Sequence, residues 1–309
     1  MPGCRTFIRR FPSSATRAFI REARRTPGYS LFNWIHGYVY GRWIYLYIGI
    51  GTGSHPLARL LRPLLRPLAV LKKRCQPGSA VSSSPTFSDT YHGKVIPLDQ
   101  ARKIVTVNRE IRIHDLEQVI PYSLARSLIL KNPEHIVVLD CPCRAARSAP
   151  CLPLDVCLII GEPFASFTRE HHPQRSRAIT MKQALIILEE EHQRGHVHHA
   201  FFKQAMLNRF YAICNCCSCC CGAIQAWNHK TPMLASSGYL ARVDEERCLG
   251  CGSCVPCCQF EALTRTAEKV EVDEQRCLGC GVCVDHCPTA AITLLLSPEK
   301  GVPLEVERL

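Results

Sequence analysis

The chain has 309 residues, 47% of them apolar, which is enough for two modest domains with buried cores. Its net charge of +12 is unevenly placed: residues 1–80 hold 14 of the 38 Lys and Arg against the single acid Glu22, so the remainder is nearly neutral. Twenty-one cysteines could signal a secreted disulfide scaffold, but no n-region, apolar h-region and small-residue cleavage site opens the chain, so a cytoplasmic, reducing location is expected. Neither Arg9-Arg10 nor Arg24-Arg25 leads promptly into an apolar run with such a site, which leaves twin-arginine export the lesser reading. Basicity confined to one end points to an acidic surface, whether phospholipid headgroups, an acidic partner or nucleic acid, and says nothing about the fold.

Residues 1–30 are Arg-rich with scattered Phe and Pro, show no clear periodicity and are expected to form a basic tail. Residues 31–50, LFNWIHGYVYGRWIYLYIGI, have the length of a membrane helix. His36 and Arg42 near the middle argue against a span, as do aromatic residues spread along the segment instead of gathered at its ends. Residues 56–68 interleave Arg59, Arg62 and Arg66 with leucines so that the three guanidiniums share a helical face, while Pro63 and Pro67 limit any helix. That pattern suits an interfacial anchor on an acidic membrane or a docking segment; the alternative is a packed segment with solvated arginines. Residues 1–75 thus read as a basic, aromatic-rich segment and 76–93 as a Ser/Pro/Gly linker.

From about Lys94 the pattern turns globular. Residues 104–107 are strand-like, 120–130 are helix-compatible, and 136–139 form a buried-strand run leading into Cys141-Pro142-Cys143-Arg144. The strand–helix–strand order predicts an α/β arrangement for a Cys-rich domain over 94–235. A second apolar run, 156–160, carries Cys157. Thr180 predicts a helix N-cap with Gln183 completing a capping box, and Gly195 a helix stop. His196, His198 and His199 could ligate metal or shuttle protons, but no acid partner is evident, and decoration of a loop or helix start is the plainer reading.

The run from Cys214 to Cys221 places six thiols in eight residues. Neighbouring cysteines reach disulfide geometry only under strain, whereas a soft metal or an iron–sulfur cluster tolerates such density. Cys141, Cys143, Cys151, Cys157, Cys214, Cys216, Cys217, Cys219, Cys220 and Cys221 are therefore candidate metal ligands, and two four-iron clusters would use eight of the ten. Three readings stand: additional clusters that relay electrons, a cluster with an open iron that binds substrate and makes the chain a reductase, or a structural zinc site. No G-x-G-x-x-G, P-loop or nucleophile triad accompanies these cysteines, so nucleotide and flavin are not indicated.

Residues 243–293 repeat with a 29-residue period, each copy spaced C-x2-C-x2-C-x3-C, and the alignment sets Cys258 opposite Cys287 and the extra Cys257 opposite His286. This pattern resembles the bacterial two-cluster ferredoxin domain over residues 238–296, leaving 297–309 as a tail. The resemblance implies two [4Fe–4S] clusters, one on Cys248, Cys251, Cys254 and Cys287 and the other on Cys277, Cys280, Cys283 and Cys258, because in that family the fourth cysteine of each copy serves the other cluster. Gly250, Gly252, Gly279 and Gly281 suit a backbone wrapped around a cube. One departure is Cys258-Gln259, where the second copy has Cys287-Pro288. Zinc on paired C-x2-C motifs is the weaker alternative. The order of CPCR, spaced cysteines, a helix and CNCCSCCC also resembles a Cys-rich domain of uncharacterised type that accompanies ferredoxin modules in anaerobe redox proteins. The expectation is an α+β iron–sulfur electron-transfer protein with redox partner proteins, a possible acidic membrane contact through residues 1–75, and no nucleic acid.

Overall fold

The computed structural model describes residues 13–58, 87–114 and 116–308. Residues 59–68 of the arginine–leucine stretch and most of the linker lie outside them. Far from a basic tail, Ser14–Arg25 is a helix (α1), opened by Ser13, whose hydroxyl accepts from the Thr16 amide at 3.3 Å. Ala15, Phe19 and Ala23 repeat at i, i+4, i+8 and make its buried stripe. The periodicity is obscured in the sequence by the helix's four arginines, Arg17, Arg21, Arg24 and Arg25. Residues 31–50 do not form one rod: α2 (Leu31–Arg42) and α3 (Ile44–Gly51) break at Trp43, where φ is −126° and ψ 42°. No described helix is long and apolar enough to cross a membrane.

One seven-stranded sheet organises the centre, in the order β6-β4-β5-β8-β7-β1-β9. Its strands are β1 (Tyr91–Ile96), β4 (Ile136–Asp140), β5 (Asp155–Ile160), β6 (Ser176–Ile179), β7 (Val197–Lys203), β8 (Arg209–Cys216) and β9 (Leu234–Ala235). A separate hairpin joins β2 (Ile111–Ile113) to β3 (Leu128–Leu130). Within the large sheet every pairing is antiparallel except β1 with β9. The strand–helix–strand order therefore does not build parallel crossover units, and helices and strands combine as α+β.

Two expectations differ, one of a strand and one of a helix. Residues 104–107 belong mostly to α4 (Leu98–Thr106), where Leu98, Ala101, Ile104 and Val105 share a buried face; the β-branched run resembles a strand, but its spacing fits helical burial. Residues 120–130 form turns leading into β3, whose Leu128 and Leu130 alternate inward. The expected strands at 136–139 and 156–160 are present in β4 and β5. The helix α6 (Met181–Gln193), after α5 (Phe164–His171), has the full Thr180–Gln183 capping box and ends with Gly195 at φ +81°.

The strand period of two gives the sheet two apolar faces. Ile136, Val138, Leu158, Ile160, Ala200 and Phe202 pack under α4 and α6. Leu304 and Val306 join that same core, and Lys94 Nζ donates to the Val302 carbonyl at 2.8 Å, so the C-terminal residues return to the sheet. Leu139, Cys157, Ile159, Phe201 and Cys216 face the opposite way, toward α1–α3, α5 and the C-terminal domain. Gly37 lets α2 lie directly on the turn after β7, since a Cβ there would stand 2.0 Å from the Ala205 carbonyl oxygen. In the C-terminal domain β10 (Tyr239–Val243) pairs with β13 (Ile292–Leu296), and β11 (Leu263–Arg265) with β12 (Val270–Val272), so each strand pair joins the start of one repeat to the end of the other.

His92 lies inside the α4–α6 face, stacked 4.1 Å from the Tyr122 ring with Nδ1 donating to the Ser88 carbonyl. Burial pushes it down from 6.5 to about 4. The unfolded chain therefore takes up this proton first, and the stability contributed by the neutral ring is complete above pH 6.5 and lost as pH falls toward 4. His92→Phe is expected to flatten the fall of unfolding free energy between about pH 6 and pH 5 by roughly 1.4 kcal/mol per pH unit. Urea midpoints measured across that window check it, and an unchanged slope contradicts it.

Candidate metal centres

The ten central cysteines come together at one end of the sheet from four segments. Cys141 follows β4, its amide donating to the Leu154 carbonyl at 2.6 Å, and Pro142 starts the single helical turn that carries Cys143 and Arg144. Cys157 on β5 and Cys214 and Cys216 on β8 point to the same face of the sheet because alternate strand residues do. Cys217, Cys220 and Cys221 follow in the turn before α7 (Gly222–Asn228). These eight line one cavity, whose wall is completed by Tyr40, Tyr91 and Tyr211 and by Ile44 and Ile48 of α3. The N-terminal helices therefore cover the cavity, and Tyr45 fastens them by donating to the Asp140 carbonyl at 2.9 Å. Cys151 and Cys219 stand outside it, with their sulfurs 3.0 Å apart.

Thiols inside the cavity polarise one another. Hydrogen bonds from Cys143 and Cys157 hold Cys141 well below the usual thiol range, and the nearby Arg144 guanidinium adds to this. The hydrogen bond with Cys216 likewise lowers Cys221. The donors move the opposite way, Cys143 through its bond to Cys141 and Cys216 through its bond to Cys221. Two sulfurs are thereby favoured as thiolates, the form that binds soft metals. Behind the wall, the buried ammonium of Lys203 sits 3.9 Å from the Tyr91 ring centroid and 4.3 Å from that of Tyr40; burial pushes it down to about 7.

One guanidinium joins the cysteine-bearing segments. Arg144 pairs with Glu191 of α6, both side chains 1% exposed. It also donates to the Pro153 carbonyl at 2.5 Å and to the Asn215 carbonyl, inside the cysteine run, at 3.2 Å. Glu191 accepts from Nδ1 of His196 at 2.7 Å, so an acid partner does exist for the first of the three histidines. It was not visible in the sequence because the chain reverses at Gly195 and brings the helix end back over the strand. His198 and His199 belong to β7, neither loop nor helix start. His198 Nδ1 donates to Asn215 Oδ1 at 2.7 Å, and burial pushes both rings down to about 3, so they are neutral core groups.

In the C-terminal domain Cys258, Cys277, Cys280 and Cys283 surround one small cavity lined otherwise by apolar side chains, Phe260, Leu278, Val282 and Leu294 among them. Cys254 is pushed up to about 11 by burial, with Cys287, Cys251 and Cys248 adding their charge, which places those four together. Matching positions of the two copies supply amide donors to sulfur: Ala262 to Cys258 and Ala291 to Cys287, each at 3.2 Å. Gly279, at φ +65°, could carry no side chain, since a Cβ would meet the Tyr239 carbonyl at 2.1 Å. Thiolates facing a dry space, with amides aimed at sulfur, fit four-iron clusters. The extra Cys257 instead donates to the Ser253 carbonyl at 3.6 Å.

Gln259, the departure from the repeat, is the clamp between domains. Its Oε1 accepts from the Ser218 amide at 2.7 Å and its Nε2 donates to the Gly195 carbonyl at 2.8 Å. A proline could do neither. His192 Nε2 and the Asp285 carboxylate, 2.7 Å apart, add a second link.

Arg144→Met would leave Glu191 buried without its main counter-charge and is expected to cost about 3–5 kcal/mol, most of it recovered in the Arg144→Met, Glu191→Leu double variant. Denaturation of the single and double variants checks this, and a single-variant loss below about 1 kcal/mol contradicts it. Comparison with curated proteins finds no match. Residues 241–294 match the family model described as a 4Fe-4S dicluster domain. The chain therefore carries a ferredoxin-type 4Fe-4S dicluster domain behind a Cys-rich domain built on a mixed sheet.

Proposed function

We propose that the protein is an electron carrier in which the dicluster domain exchanges electrons with a further iron–sulfur cluster held in the central cavity. The observation that carries this reading is the Gln259 clamp: the residue after Cys258 is bonded to Ser218, between Cys217 and Cys219 of the central run. Cys248, Cys251, Cys254 and Cys287 would hold one cluster of the C-terminal domain, and Cys277, Cys280, Cys283 and Cys258 the other. The central cluster would take its ligands from Cys141, Cys143, Cys157, Cys214, Cys216 and Cys221. When bound, such clusters supply one-electron transfer at potentials tuned by burial, charge and hydrogen bonds to sulfur. The residues of this chain do the tuning: Ile44 and Ile48 exclude water, thiol and amide donors support the thiolates, and Lys203 opposes the negative charge that reduction adds. Electrons would reach the protein from a redox partner protein.

A reductase is the second reading, and the hydroxyl-bearing wall of Tyr40, Tyr91 and Tyr211 favours it as a source of protons. Anaerobically purified protein is expected to hold about twelve irons, four per cubane, with EPR of the reduced state resolving a signal that Cys141→Ser abolishes while the dicluster signals persist. About eight irons and no such signal would sink the central cluster. A change in that signal on adding a small reducible substrate would move the assignment to reductase.

The N-terminal segment is read as the contact with an acidic bilayer or partner. Leu31, Phe32 and Ile35 of α2 are 73%, 74% and 47% exposed on one outer face, in the most basic part of the chain. Full-length protein is expected to co-sediment with phosphatidylserine-containing vesicles at low salt and to release as salt rises. No co-sedimentation at low salt contradicts the membrane reading.

A further inference from the structure

The ten central cysteines do not form one group. Cys151, Cys217, Cys219 and Cys220 bring their four sulfurs within 4.8 Å of one another, with Cys219 Sγ 3.7 Å from Cys220 Sγ. A single tetrahedral ion with metal–sulfur bonds of about 2.3 Å needs sulfurs about 3.8 Å apart. A four-iron cube sets a separate iron under each thiolate and spreads them further. The same protein offers the comparison: among the described residues, the eight cysteines of the ferredoxin-type domain form no group this tight. The six that remain in the cavity form none either. The geometry points to a mononuclear tetrathiolate zinc site at Cys151, Cys217, Cys219 and Cys220, separate from any cluster in the cavity.

Its surroundings are those of a structural site. Cys217 and Cys220 are buried, while Cys219 is exposed and Cys151 half-buried, so the ion would lie under the surface with all four positions filled by protein. The turn is already shaped: Arg147 donates to the Cys220 carbonyl at 3.0 Å and Gln225 to the Cys219 carbonyl at 3.1 Å. Zinc is chosen over ferrous iron because it binds such ligands more tightly and has no redox chemistry to disturb the relay. The ion would tie the loop carrying Cys151 to the cysteine run, and so would hold Ser218 where Gln259 bonds it. This site takes Cys217 and Cys220 from the cavity wall and leaves Cys141, Cys143, Cys157, Cys214, Cys216 and Cys221 for whatever the cavity holds.

The test is metal analysis and zinc K-edge X-ray absorption on full-length protein purified anaerobically. The expected result is about one zinc per chain in a shell of four sulfurs at about 2.3 Å. The Cys151→Ser, Cys219→Ser variant is expected to lose that zinc while iron content and the EPR signals of the remaining clusters are unchanged. Only trace zinc in the wild type, a shell containing nitrogen or oxygen, a Cys151–Cys219 disulfide found by mass spectrometry, or loss of about four irons with the variant would each overturn it. Should the variant fail to fold, the wild-type absorption spectrum decides alone.

Discussion

The central domain depends on the buried ion pair between Arg144 and Glu191. Two charges removed from water are tolerated only when each is paired and its remaining donors and acceptors are satisfied. Arg144 meets most of that demand by reaching the Pro153 and Asn215 carbonyls with its terminal nitrogens, its Nε having no partner among the described residues, and Glu191 meets it by accepting from His196 and Arg194. The segments drawn together in this way are those that bear the central cysteines: the turn after β4, the loop beyond Cys151, and the run that ends β8. The central thiols are free and do not cross-link their own scaffold. A guanidinium with several donors does so without using one.

Burial of the central cysteines follows from a part of the chain that looks unpromising as structure. The arginine-rich N-terminus folds because Phe19 finds Phe164 and Phe167, with ring centroids 6.3 and 5.4 Å away. That anchoring, with Gly37 seated on the Ala205 carbonyl, places α3 over the cysteines. A dry cover strengthens every charge interaction beneath it, including those of the polarised thiols and of Lys203. Its outer face remains basic and partly apolar, so one segment shields the cavity and offers a surface.

Gln259 shows how a broken motif can carry information. In the repeat it is a missing proline; in the structure it is the residue whose amide group bridges Ser218 and Gly195. The substitution changes little at Cys258, whose sulfur keeps its amide donor from Ala262. It changes what the turn can bind. Intactness of the ligand set and departure beside it thus have separate causes, one in the metal and one in the neighbouring domain.

The dicluster repeat was legible because its ligands are close in sequence: three cysteines on one short loop, glycines where the backbone must turn, and a second copy that resolves Cys257 from Cys258. The Thr180 cap and the strands at β4 and β5 were legible for the same reason, being local. Strand direction was not, since antiparallel pairing is chosen by distant partners, and the β-branched residues 104–107 were misread because helical burial outweighs their strand preference. Neither was the helix of α1, whose buried stripe acquires meaning only from Phe164 and Phe167. For the central thiols, sequence determined their number and their suitability for soft metal. Which of them stand within reach of one ion, and which face a common cavity, was decided only by the tertiary structure, because metal binding is set by distances through space between segments far apart along the chain.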